Sequence, residues 1–211
     1  MNRTRILMHY CRNCAAVCML ALGGMLCPLN TVGTVIKYAL YVAATLVAGY
    51  NFKTLRNPPP PKLTLLGVAV MLTLSVLISF LPLEQRINYD TSSTLFYVTV
   101  LLLAPLFEEL FFRGGLIKFE LLPATTLMSA LFFGAFHGLS GFLQAFILGA
   151  VLSLLYARSR SLYVPFICHF ANNLLAVICI KYDVRIWVLI PSVAVIVFCI
   201  FTRRKNEKKI L

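Results

Sequence analysis

Glu108, Glu109 and Arg113 lie in LLLAPLFEELFFRGG, His137 ends FGAFH, and His169, Asn172 and Asn173 lie in HFANN. Two adjacent carboxylates, a guanidinium, two imidazoles and two amides can move protons, hold a water and donate hydrogen bonds to a developing negative charge. Their surroundings are strongly apolar. An ionised residue near the bilayer centre costs about 2.5–3.5 kcal/mol on insertion scales, so such residues usually line a pathway or a site.

Helical spacing divides the two acids. Glu109 and Arg113 are four residues apart with the acid first, the favourable order for an ion pair within one helix. Glu108 is turned by about 100° from Glu109, and its own neighbour one turn on is Phe112. It has no counter-charge there, which leaves its carboxylate free to act as a general base or acid. Phe133 shares a helix face with His137, and His169 with Asn173. At about 1.5 Å per residue, Glu108 lies about 15 Å from residue 118, His169 about 13 Å from residue 160 and His137 about 22 Å from residue 122. These depths predict a site entered from the cytoplasmic end, where residues 118 and 160 lie. Taken singly, each group has a bland explanation: a structural ion pair, a protonated acid, an interfacial histidine or polar glue between helices. Their coincidence in apolar segments points to a site. His9 has no such context and is assigned nothing.

The elements that must position these groups are membrane helices. The 211-residue chain is 60% hydrophobic and only 12% charged, with a mean hydropathy of +0.88, well above the roughly half-apolar composition of soluble domains. Apolar runs predict an all-α, polytopic bundle of about eight transmembrane helices, over about 14–30, 33–52, 63–82, 94–118, 122–138, 141–157, 162–180 and 186–202. RNPPPPK at 56–62 is a stiff loop, and LPLEQRINYDTSS at 81–93 is the longest polar connection. Only Lys37, Arg86, Lys181 and Arg185 of the nineteen Lys and Arg fall on the far side of this arrangement. That bias predicts both termini in the cytoplasm. The net charge of +12 is thereby explained by membrane orientation, and no basic, aromatic-studded domain suited to nucleic acid is present. The seven cysteines, including the lone CRNC at 11–14, read as small buried hydrophobes or incidental thiols. The N-terminus is basic and then apolar, like a signal peptide, but lacks an A-x-A site. A retained first span is expected. No internal repeat is evident, so residues 1–211 are read as one integral membrane domain.

In order, EELFFR, FGAFH and HFANN fit E-E-x-x-x-R, F-x-x-x-H and H-x-x-x-N. Over about residues 94–180 the chain resembles the CPBP family, the CAAX prenyl endopeptidases and bacteriocin-processing enzymes also called Abi proteins. The resemblance implies an intramembrane endopeptidase with an eight-helix core, whose catalytic part is 94–180. Glu108 would work with His137 to hold and deprotonate a water, and His169 and Asn173 would stabilise the oxyanion. Glu109 and Arg113 would brace the site, and Phe133 would support His137. No cofactor is expected: a His₂Glu zinc site is the alternative, but H-E-x-x-H is missing. The implied partners are the bilayer and a peptide or protein substrate cut near or in it, such as a leader, a peptide precursor, a sorting helix or a prenylated tail. A bacterial cytoplasmic membrane is the expected location, and oligomeric state is left open. Two other classes compete: a non-catalytic immunity or membrane-kinase regulatory protein, and a proton-linked carrier. No inverted repeat favours the carrier.

Overall fold

The computed structural model describes residues 3–27, 31–50, 52–81 and 93–207. Among them the chain forms eight helices, with no strand. They are α1 (Arg3–Leu26), α2 (Thr31–Ala48), α3 (Pro61–Ser79), α4 (Thr94–Gly115), α5 (Leu122–Ala135), α6 (Gly138–Ser159), α7 (Tyr163–Lys181) and α8 (Arg185–Glu207). Short 3-10 turns, Phe52–Leu55 and Phe119–Leu121, precede α3 and α5. Six helices are long and apolar enough to cross a membrane, while α2 and α5 are shorter apolar helices. The chain is an integral, multi-pass membrane protein.

Several boundaries depart from the expected spans by three residues or more, and two bear on the site. α1 starts at Arg3 because nothing between Arg3 and Asn13 stops a helix, there being no glycine or proline. Its polar head is tied to the bundle: Arg12 Nε donates to Val47 O at 2.8 Å, and Asn13 Nδ2 to Leu116 O at 3.0 Å. α5 has 14 residues, about 21 Å of helix, short of the ~30 Å hydrocarbon core. It ends where Gly138 takes up φ 72, a left-handed turn that glycine adopts without strain. The proline run behaves as its chemistry requires, with Pro61 entering α3 at its first turn, where the missing N–H is no loss. Apart from its end residues Leu81 and Ser93, the 81–93 connection lies outside the described residues.

α1 packs on α2, α2 on the later part of α4, α4 on α7, α5 on α6, and α3 on α6, α7 and α8. Two apolar clusters flank the middle of the bundle. One joins Tyr41, Phe111, Phe112 and Phe133, the other Met71, Leu148, Leu152 and Cys168. All seven cysteines are free.

α4 is not a regular helix. It widens into π turns at Thr99–Leu103 and Leu110–Gly115. Proline at 105 accounts for the first. The Ala104 N–H bonds to Thr99 O, so Val100 O loses its normal donor, and the next residue has no N–H to offer. In the second, Leu116 N reaches back to Phe111 O at 3.0 Å and leaves Phe112 O unclaimed. A buried carbonyl needs a partner, and neighbouring helices supply both. Asn173 Nδ2 donates to Val100 O at 2.9 Å, and Ser129 Oγ to Phe112 O at 2.7 Å. The two acids sit between these widened turns, a setting common at functional sites.

Candidate active site

Glu109 is fully buried, and its Oε1 accepts two hydrogen bonds. One comes from Arg113 Nη1 at 3.0 Å, as the spacing requires, and the other from His169 Nδ1 of α7 at 2.7 Å. Arg113 is itself buried. Its Nη2 donates to Gly149 O at 3.1 Å, and its guanidinium lies 4.5 Å from the centre of the Phe133 ring. A buried charge is tolerated only with this degree of pairing.

With Nδ1–H bound to Glu109, the other nitrogen of His169 is turned towards Glu108. The Nε2–Oε2 distance is 3.9 Å, too long for a hydrogen bond. Glu108 is 9% exposed. The helix phase that separates the adjacent acids therefore gives them unlike surroundings: one spent in an ion pair, one at the edge of a void.

His137 stands at the corner between α5 and α6, exposed, with Nδ1 2.7 Å from Phe133 O. That carbonyl selects the Nδ1–H tautomer and leaves Nε2 free. Phe133 touches both histidines, its ring centre 4.6 Å from that of His137 and, edge-on, 5.7 Å from that of His169. The ring fits because residue 149 has no side chain: a Cβ there would lie 2.9 Å from Phe133 Cδ1.

Glu108, His137, His169, Asn172 and Asn173 line one cavity of about 290 Å³. Asn173 shares a face with His169, but one of its amide hydrogens is directed to Val100 O. The cavity runs from Met71 and Leu152 to Phe96, Ser140 and Ile180, towards the end of the bundle opposite residues 118 and 160. The expected direction of entry is thus reversed. The cause is the packing of Ile117, Tyr156 and Leu162 with Phe119 and Leu122, which closes the other end. Among the described residues no three His, Cys, Asp or Glu side chains are grouped closely enough to hold a metal ion.

Several contributors were not singled out by motif: Gly149, Ser129, and the Val100–Pro105 pair. The proline inside an otherwise helical run was the one signal available for them, since it implies an orphaned carbonyl one turn earlier.

The family model described as Type II CAAX prenyl endopeptidase Rce1-like matches residues 90–175. No curated protein and no solved structure matches the chain. The matched stretch, somewhat under half of the chain, takes in Glu108, Glu109, Arg113, Phe133, His137, His169 and Asn173. The resemblance carried by the three motifs and the family match agree: the segment that builds this site is similar to the Rce1-like type II CAAX prenyl endopeptidases.

Proposed function

We propose that the chain is an intramembrane endopeptidase in which Glu108 activates a water, with residues 94–180 as its catalytic core. The division between the adjacent acids carries this reading. Glu109 is consumed by Arg113 and by one nitrogen of His169, whereas Glu108 faces the other nitrogen across 3.9 Å at a cavity wall. A water about 2.8 Å from both would subtend roughly 90° between them. Its proton passes to Glu108 as its oxygen attacks the peptide carbonyl carbon. The resulting oxyanion is met by Nε2 of His169, whose ring Glu109 orients through the Nδ1 hydrogen bond. His137, fixed by Phe133 O, offers its free Nε2 from the facing corner. Collapse breaks the C–N bond, and Glu108 returns the proton to the leaving amine. Because one Asn173 hydrogen is directed at Val100 O, we assign Asn173 chiefly to holding the cavity wall.

The substrate is a polypeptide at the membrane, with a leader, a peptide precursor and a prenylated tail as the candidate classes. If the basic end of the bundle faces the cytoplasm, the cavity opens to the outer side.

The test is cleavage of fluorogenic peptides, prenylated and not, by purified protein. Glu108→Gln is isosteric and should reduce kcat about 10²–10⁴-fold, the range for loss of a general base, with unchanged thermal unfolding. Retained cleavage in that variant would refute the role of Glu108. Inhibition by chelators together with stoichiometric zinc would move the chemistry to a metal. Solute flux through vesicles without any cut peptide would favour a carrier.

A further inference from the structure

Beside the catalytic cavity lies a second cleft, of about 430 Å³, formed by the ends of α3 and α7 and the entries to α6 and α8. It shares Gln144, Asn172 and Ala176 with the first. The partition between the two is a hydrogen-bonded row. Ser75 Oγ donates to Asn172 Oδ1, Asn172 Nδ2 lies 3.4 Å from Asn173 Oδ1, and Asn173 Nδ2 donates to Val100 O. No step of the proposed chemistry uses this row, in which Asn173 holds the cavity wall. Lipid chains cannot hydrogen-bond to such a wall, so its natural occupants are water or a polar chain. The size lies within the range of ligand clefts.

At the lip, Arg185 Nε and Nη2 bind Asp183 at 2.7 and 2.8 Å, and the guanidinium lies 5.2 Å from the Phe80 ring centre. Each charge is neutralised by the other, so the lip selects neither an acidic nor a basic segment. An extended main chain, with donors and acceptors alternating along it, matches an amide-lined wall of this kind.

We propose that this cleft binds the flank of the substrate polypeptide beside the scissile bond, an extended run of small, uncharged polar residues meeting Ser75 and Asn172. The assignment rests on the endopeptidase reading and is tested apart from turnover. Cys179 lines the cleft, whereas Cys11 is exposed on α1, so alkylation of the two thiols, mapped by mass spectrometry, compares the cleft with a distant site. The probe is a fluorogenic peptide cut by the wild-type protein, made short and extended at either end by a run of Ser, Gly and Asn.

In the Glu108→Gln protein, one extended form should slow alkylation of Cys179 about tenfold at saturation and leave Cys11 unaffected, whereas the short form should protect neither. Ser79→Trp, at the cleft mouth, should raise KM for that extended form about tenfold more than for the short one. If both extended forms are cut yet Cys179 reacts at its free rate and Ser79→Trp does not separate the substrates, the cleft assignment fails alone. If the wild-type protein cuts no peptide, the endopeptidase reading fails and takes this one with it.

Discussion

Oε1 of Glu109 and Nδ1 of His169 are joined by a 2.7 Å hydrogen bond across α4 and α7. The acid that braces its own helix through Arg113 therefore also sets the orientation of a ring in the next. Glu109→Gln leaves Arg113 buried without a full counter-charge, a loss of about 3–5 kcal/mol. Replacing the pair by Glu109→Leu with Arg113→Met should restore much of that stability, because apolar groups of similar size substitute well for a buried pair. It should not restore kcat, since His169 has still lost its anchor. Thermal unfolding in detergent and peptide turnover, measured on the same samples, separate the two effects.

Asn173→Leu should cost about 1–3 kcal/mol by leaving Val100 O without a donor. Pro105→Ala supplies a backbone N–H within reach of that widened turn, so the loss should be smaller in the Pro105→Ala background. Additive effects in a double-mutant cycle would remove the proposed link between the proline and the amide.

Gly149→Ala puts a methyl group 2.9 Å from Phe133 Cδ1. Overpacking of this kind costs about 1–3 kcal/mol. Phe133 contacts both histidines, so kcat should fall along with stability, and Phe133→Leu in the same chain should relieve the strain. Unchanged unfolding and turnover in Gly149→Ala would show that the contact is not confining.

Lys118, just beyond α4, is pushed from the usual 10.5 to about 8, chiefly by burial, with the charge of Arg12 adding to this and that of Glu120 opposing it. A depressed lysine pKa means that the folded chain releases its proton before the unfolded chain does. Below about pH 8 the folded state bears the full penalty, and stability should rise as the pH increases from about 8 towards 9.5. Lys118→Met should flatten that rise. Unfolding temperatures across this interval, compared between the two proteins, provide the check.

Much of the local arrangement was legible in the residues. Glu109–Arg113 and Phe133–His137 are contacts within a turn, and helical periodicity specifies them directly. Hydropathy likewise located all eight segments. The contacts between helices were not legible. Glu109 meets His169, 60 residues on, only because α4 packs on α7 with a widened turn on either side of the acids, which shifts the helical phase on which spacing arguments rely. The termination of α5 was missed for a related reason: an apolar run says nothing of where a glycine will reverse the chain. Direction of entry also depended on packing, since Tyr156 and Leu162 close one end from the far side of the chain.

With the 3-10 turn before it, α5 forms an apolar helical stretch Phe119–Ala135, about 25 Å long and still short of the ~30 Å hydrocarbon core beside the site. A bilayer relieves such mismatch by thinning around the protein, so the leaflets should pinch against this face and draw headgroups and hydration inward. On the proposed mechanism, a scissile bond then need not travel to the midplane of an undisturbed membrane to meet Glu108. The water for hydrolysis would, on that mechanism, arrive by the same dimple.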